Sequence, residues 1–476
     1  MPSLRVVLTP ALLDAQAGVL DLDGLRAELE APGPFSVQAL AEAAQGARSP
    51  RLPEADRTDL PMLTIDPPGS MDLDQALYLE RTDGGFRVWY AIADVAAFVT
   101  AGGALDAELF ARGVTLYAPD ERVPLHPPVL GEGAASLLPD QDRPALLWQL
   151  DLDAEGRLVG TDVRRALVRS RRRLDYEGVQ AELDAGTADP VLLLLREIGS
   201  LRQERARERE AVDLPTPEQE VAVDAQGRPT LTLRAQLPCE AWNAQISLLT
   251  GTAAAALMLA GPVGLLRTMP PADAKSVAAL RRSALALGVA WDDGQSYGDV
   301  VSALDATVPE HAALLTLATR LLRGAGYTAF DGSVPEQPLH SAVALPYAHC
   351  TAPLRRLADR HVGEVCLSLA AGLPVPDWAR SALPDLPDVM AGTTRRANAF
   401  ERAVVDAAEA VVLAPRIGEQ FDAVVVESGP KGGVVQLRHP AVRAKCQGGD
   451  LPLGREVRVV LADADPVART VAFRLV

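Results

Sequence analysis

Leu63-Thr64-Ile65-Asp66-Pro67-Pro68-Gly69-Ser70-Met71-Asp72-Leu73-Asp74-Gln75-Ala76-Leu77 is the stretch around which this chain is organised. An apolar run from Pro61 to Ile65 ends at Asp66, and two prolines follow. Proline cannot donate to a sheet ladder, so Asp66 is expected at a strand end. The Pro-Pro-Gly-Ser turn then leads to Asp72-Leu73-Asp74, whose alternation predicts an extended segment with both carboxylates on one face. Asp66, Asp72 and Asp74 are thereby expected to converge. Like charges at close range resist joint ionisation unless a cation neutralises them. An oxygen-only set of this kind suits Mg²⁺, or Mn²⁺, completed by waters and phosphate oxygens. The plain alternative is a solvated acidic turn; the Asp-Pro-Pro start and the apolar frame on both sides favour the metal site.

Outward from this stretch the pattern is first β-rich. Ala76 to Glu80 and Phe86 to Ala93 flank a Thr82-Asp83-Gly84-Gly85 turn, a hairpin signature. Ala104 to Arg112 reads as a helix and Val114 to Ala118 as extended. Leu146 to Leu152 and Val163 to Leu174 read as further strands. The last of these is the most basic segment, and alternation places Arg169, Arg171 and Arg173 on one face with Tyr176 close behind. Basic side chains beside an aromatic suit phosphate contact and base stacking; an edge strand charged against pairing is an equal alternative.

From Asp189 onward the reading is mostly helical, with helices over 191–209, 240–259, 273–288 and 309–323. Pro353 is expected to begin a helix bearing Arg355, Arg356, Asp359 and Arg360. Another helix, over 393–413, carries Glu401. From about Ile417 the pattern turns to short strands, as in a five-stranded OB barrel. Before residue 57, three short helical segments, beginning near Thr9, Asp23 and Ser36, are compatible with a helix-turn-helix or with a small packing module.

The composition is that of an ordinary globular protein, 48% hydrophobic and 23% charged over 476 residues, enough for more than one domain. A formal net charge of −17 argues against a protein that coats nucleic acid non-specifically, though not against a basic channel inside an acidic shell. The four cysteines are scattered without CxxC pairs, so neither zinc nor a disulfide framework is indicated, and a reducing cytoplasm is expected. The N-terminus lacks signal-peptide shape, and the apolar run 250–263 is too short to span a bilayer. No membrane association and no obligate protein partner are expected.

Taken in order, these segments resemble the RNase II/RNase R (RNB-domain) family of 3′-to-5′ exoribonucleases. The resemblance rests on Thr64-Ile65-Asp66-Pro67 with Asp72-Leu73-Asp74, Ile92-Ala93-Asp94-Val95 and Arg112-Gly113-Val114-Thr115-Leu116-Tyr117-Ala118-Pro119. It continues through Ser136-Leu137-Leu138-Pro139-Asp140, Arg173-Leu174-Asp175-Tyr176 and Glu240-Ala241-Trp242-Asn243, and through His349-Cys350-Thr351-Ala352-Pro353-Leu354-Arg355-Arg356-Leu357-Ala358-Asp359. It covers about residues 55–415 and is completed by an S1-type OB domain. It implies an α+β, multidomain chain: a helical module over 1–57, a mixed α/β catalytic domain over 58–415 and an OB barrel over 416–476.

The resemblance implies hydrolysis of single-stranded RNA from its 3′ end to nucleoside 5′-monophosphates. Asp66, Asp72 and Asp74 would hold divalent metal, Arg355 would offset transition-state charge, and Arg356 is a weaker phosphate contact. Tyr117 would position the terminal nucleotide, Tyr176 would brace bases further up, and Glu401 would hold the last sugar. Three departures stand out. Gln75 occupies the place of a second successive aspartate and offers a carbonyl oxygen without charge. Leu214 and Leu357 replace aromatic residues. The N-terminal region is too short for the two cold-shock barrels of RNase II and RNase R, which predicts a wider entrance tolerant of structured RNA. An RNA-binding protein with a decayed nuclease site is the alternative that Gln75 motivates.

Overall fold

The computed structural model describes residues 21–118, 120–214, 218–223, 229–437 and 439–476. Helices α1 (Leu22–Glu28) and α2 (Val37–Arg48) come first. Each is started by a side-chain cap: Asp21 accepts the Gly24 N–H and Ser36 the Ala39 N–H. The helix expected near Thr9 lies outside the described residues.

The apolar run that ends at Asp66 is β1 (Met62–Asp66). It joins β2 (Gln75–Thr82), β3 (Gly85–Ala93), β4 (Asp142–Asp153) and β5 (Leu158–Asp175) in a closed barrel, with α3 (Ala104–Arg112) between β3 and β4. Successive strands pair antiparallel, and β5 closes the barrel by running parallel to β1, with Asp175 opposite Asp66. The two-residue Asp83-Gly84 turn sets the β2–β3 register from Gln75↔Ile92 to Thr82↔Gly85. Tyr90 and Trp148 are almost wholly buried in the core of this barrel.

Helices α4 (Tyr176–Asp184), α5 (Pro190–Glu208) and α6 (Pro238–Ala260) follow, then α7 (Ala274–Ala286), α8 (Tyr297–Ser302) and α9 (Pro309–Ala318). Next come α10 (Leu357–Ala370), α11 (Asp377–Ala382) and α12 (Leu386–Leu413). Helix α6 is apolar and long enough by composition to cross a membrane, yet Ile246, Leu249, Ala253 and Met258 belong to the main core. The expected helices are present, but a mostly helical reading after Asp189 misses three strand pairs. These are β6–β7 (Glu218–Val223 with Pro229–Arg234), β8–β9 (Val263–Thr268 with Gly326–Asp331) and β10–β11 (Leu339–His340 with Leu345–Pro346). Short apolar runs of this length do not distinguish strand from buried helix; packing against α6 and α10 decides β8.

The C-terminal strands β12 (Gln420–Gly429), β13 (Gly432–Leu437), β14 (Arg443–Gln447), β15 (Glu456–Asp465) and β16 (Thr470–Leu475) form a second closed barrel in the order β12-β13-β14-β16-β15. Phe421, Val425, Val459 and Phe473 fill it, and Ala408, Val412 and Leu413 at the end of α12 pack into the same core. Residue pairs also tie the ends of the chain together. Arg469, in the β15–β16 turn, makes a two-bond contact with Glu28 of α1 at 2.7 Å each. The chain is thus α+β, with N-terminal helices, a central mixed part and a C-terminal OB-type barrel.

Candidate active site

The site begins where β1 ends. Ser70 N–H bonds the Pro67 carbonyl, and Gly69 takes φ +79°, a conformation that disfavours side chains. Residues 71–74 belong to no strand; β2 starts only at Gln75. Ser136 holds this irregular segment, accepting the Leu73 N–H at 2.9 Å and donating to the Met71 carbonyl at 2.6 Å. Leu137 N–H adds a bond to the Leu73 carbonyl, and Ala93 N–H one to that of Asp74. The Ser136-Leu137 motif is therefore the strap that fixes the acidic segment.

The loop 351–356 docks onto it. Pro353 does not begin a helix; α10 starts at Leu357, with Arg356 at its N-cap. The reason is that the loop's backbone groups are committed elsewhere. Leu354 N–H donates to Asp74 Oδ1 at 2.7 Å, and the Arg355 carbonyl accepts the Thr115 N–H at 3.1 Å. Ala352 N–H goes to Asp359 Oδ2 at 2.8 Å, and Leu357 N–H to the Gly113 carbonyl. Arg355 Nε then lies 3.4 Å from Asp74 Oδ2, with its side chain 50% exposed.

Asp74 is the buried carboxyl of the site, 4% exposed. Burial pushes its carboxyl up to about 8, against the pull of Arg355 and the Leu354 N–H; the Asp72 and Asp359 carboxylates push the same way. Asp72 is held by Arg122, whose Nη1 lies 2.5 Å from Oδ1, while Nη2 of the same arginine reaches Glu132 at 3.1 Å. Asp66 sits at the β1 terminus near two phenols. Burial and then Asp66 raise the Tyr176 hydroxyl to about 12, and burial with smaller contributions that include Asp66 raises that of Tyr90. Asp72 and Asp74 therefore lie within electrostatic reach of each other, and Asp66 within reach of Tyr90 and Tyr176. Among the described residues no three acidic, His or Cys side chains form a ready-made metal cluster. Two carboxylates are enough for Mg²⁺ or Mn²⁺, which complete their shells with water and phosphate oxygens. A buried carboxyl that ionises only reluctantly gains most from such a cation, so Asp72 and Asp74 fit the ion.

Gln75 is bonded at both ends of its amide. Nε2 donates to the Thr351 carbonyl, and Oε1 accepts from Tyr90 Oη at 2.7 Å. Tyr117 lies in a loop closed by reciprocal Leu116–Val123 backbone bonds. Burial opposes the charge on Arg355, but the proximity of Tyr117 and Asp74 holds its guanidinium above the ordinary value. Glu401 lies on α12 beside Phe400, which packs in one cluster with Leu116. Tyr176 opens α4, with Asn243 Nδ2 donating to its hydroxyl at 3.3 Å.

The arginines divide. Arg356 makes two bonds to the fully buried Asp359, at 2.8 and 2.7 Å; burial opposes its charge, but Asp359 outweighs that and raises its pKa. Arg169 is paired with Asp142 at 2.6 Å. Arg171 reaches the Thr58 carbonyl and Arg173 the Ser70 carbonyl and Met71 Sδ, so both exposed guanidinium groups meet neutral partners. Arg173 thus borders the acidic turn. Sequence reasoning passed over Arg122, Glu132, Tyr90 and Ser247. Arg122 sits in an ordinary charged run, and no spacing marks it. Tyr90 carried a signal, since a tyrosine in a wholly buried strand must find a partner for its hydroxyl.

Comparison with known proteins gives the family and the fold. The profile of the RNB domain matches residues 55–367, and that of the RNase II-type exonuclease C-terminal S1 domain matches residues 419–476. Ribonuclease R of Escherichia coli (strain K12) is 29% identical over 322 residues, 64% of this chain and 39% of that protein. Ribonuclease R of Thermotoga maritima is 25% identical over 466 residues, 93% of this chain and 65% of that protein. The chain therefore spans less than two thirds of the length of these relatives. The structure of Mycoplasma genitalium RNase R in complex with ribose-methylated single-stranded RNA shares the fold, with a TM-score of 0.84 at 18% identity over 96% of this chain and 78% of that one. The RNB profile spans well over half of the residues, and the chain belongs to the RNB-domain family.

Proposed function

We propose that this protein is a divalent-metal-dependent exoribonuclease that hydrolyses single-stranded RNA from the 3′ end and releases nucleoside 5′-monophosphates. One observation carries the reading. A buried carboxylate, Asp74, and a half-exposed guanidinium, Arg355, are brought together by a loop some 280 positions further along the chain. Such an arrangement has no structural need for an arginine head left open to solvent, and it suits a phosphate that arrives from outside.

Bound Mg²⁺ or Mn²⁺ at Asp72 and Asp74 would supply a Lewis acid and an activated water. The chain's own residues do the rest. Arg355 presents donors to the non-bridging oxygens as negative charge builds up. Tyr117, beside Arg355, offers a ring for the terminal nucleotide, and Tyr176, braced by Asn243, one for a base further up. Glu401 is assigned to the last sugar. Arg171 and Arg173 face incoming phosphates, while Arg169 contributes less because Asp142 offsets its charge. Arg356 acts through Asp359 and the loop more than through phosphate. Contacts to the 2′-hydroxyl give preference for RNA. Four free, buried cysteines suit a reducing cytoplasm. The domain limits taken for this reading are 58–415 for the catalytic part and 416–476 for the terminal barrel.

Incubation with 5′-labelled single-stranded RNA in Mg²⁺, Mn²⁺ or EDTA tests the proposal: a metal-dependent shortening ladder is expected. A gel shift without shortening would instead establish the RNA-binding alternative. A hairpin with a 3′ overhang, run beside the linear substrate, reads out tolerance of structured RNA.

A further inference from the structure

Gln75 is bonded into the protein rather than directed outward. The Thr351 carbonyl can only accept, so the amide atom facing it must be the nitrogen; this fixes the orientation of the side chain on chemical grounds. Its oxygen then takes the proton of Tyr90 Oη, which is 2.8 Å from Ser247 Oγ on α6. Thr351 begins the same loop whose Leu354 N–H is held by Asp74. Asp74 and Gln75, consecutive residues where the chain enters β2, thus clamp one loop at two points, three residues apart, and Arg355 is the next residue.

We propose that Gln75 is a positioning residue, a strut that sets Arg355 against Asp74, and that an acidic residue cannot take its place. Aspartate or glutamate lacks the N–H that the Thr351 carbonyl requires. Either would turn a carboxylate oxygen towards that carbonyl and add a negative charge beside Asp72 and Asp74. The neutral residue is therefore a working part of this site and not a lost ligand. The inference rests on the reading of Arg355 as the phosphate-facing group.

The test compares Gln75→Asp, Gln75→Glu, Gln75→Met, Arg355→Ala and the Gln75→Met/Arg355→Ala double variant in the full chain. Turnover and KM on single-stranded RNA are measured with Mg²⁺, and Mn²⁺ binding without RNA is followed by electron paramagnetic resonance. The three Gln75 variants are expected to lose kcat by about tenfold or more, with KM within about twofold, as for a displaced catalytic group. Mn²⁺ affinity of Gln75→Met stays within about twofold, and Gln75→Met costs nothing further once Arg355 is alanine. Wild-type or higher turnover in Gln75→Asp, a tenfold loss of Mn²⁺ affinity in Gln75→Met, or multiplicative losses in the double variant would each overturn the strut alone. Wild-type turnover in Arg355→Ala would instead remove the functional reading, and the strut with it. Should Gln75→Met not fold, Tyr90→Phe removes the hydroxyl that braces Gln75, together with its contact to Ser247, and Ser247→Ala serves as the control that leaves the brace in place. A smaller fall in kcat in Tyr90→Phe that vanishes in the Arg355→Ala background is expected, and an unchanged kcat, or an equal fall in Ser247→Ala, overturns the proposal.

Discussion

The two barrels are built alike and used differently. Each has five strands and is closed by one parallel pair, β1 with β5 and β14 with β16. In the C-terminal barrel, among the described residues of 420–476, no polar or charged residue is buried. Its charges pair at the surface, as in Arg458 with the 72%-exposed Asp422 and Arg443 with Glu427. The first barrel instead carries a buried carboxylate at its rim, sealed by a loop from far along the chain. Barrel closure supplies stability in both. Only the first has a docked loop that takes an acidic group out of water and shifts its titration, the setting in which a functional site is expected.

Substitutions can break this contrast in decreasing order of effect. Phe473→Ala empties the apolar core of the C-terminal barrel and should cost about 3–5 kcal/mol, read by denaturant unfolding, with kcat on a short RNA retained. Arg355→Ala should do the reverse: turnover falls about 100- to 1,000-fold, while the unfolding midpoint stays near that of the wild type. If both variants lose stability equally, the division between scaffold and site fails.

Asp74→Asn sharpens the contrast through pH. Between about pH 4 and 8 the folded chain keeps a proton on Asp74 that the unfolded chain has released. The folded state binds more protons in that window, so this group makes stability fall as pH rises towards 8. In EDTA at pH 8, Asp74→Asn should therefore be more stable than the wild type, by up to about 5 kcal/mol, and should be inactive with Mg²⁺. At pH 4 the advantage should disappear. An Asp74→Asn protein that unfolds more readily at pH 8 would contradict the assignment of Asp74 as a strained buried acid.

The smallest effects concern the basic strand. Arg171→Gln and Arg173→Gln should each lower the salt slope of single-stranded RNA binding by about 0.7. Arg169→Gln should lower it less, because Asp142 already neutralises that charge. Equal slopes for all three would show that strand pairing with Asp142 does not govern phosphate contact.

Much of this was legible in order and in kind. The hairpin turn at Asp83-Gly84, the strand ending before Pro67-Pro68 and the terminal barrel follow from local rules, since turn chemistry and alternation act over a few residues. The helix placed at Pro353 shows the limit. Proline at a first turn and well-spaced charges favour it locally, yet the loop's N–H groups bond Asp74 and Asp359, and its Arg355 carbonyl bonds Thr115. Those bonds outweigh propensity and leave Arg355 outside the helix.

The cluster of acids after Ile65, the paired arginines and the family to which their order belongs are all readable from residue order alone. Tertiary structure decided their roles. It gave Asp72 to Arg122, locked Arg356 onto Asp359 and tied Gln75 between Thr351 and Tyr90. Hydrogen bonds and burial depend on which segments the fold brings together, from Asp359 three positions beyond Arg356 to Thr351 far along the chain from Gln75, whereas spacing shows only which residue types stand near each other.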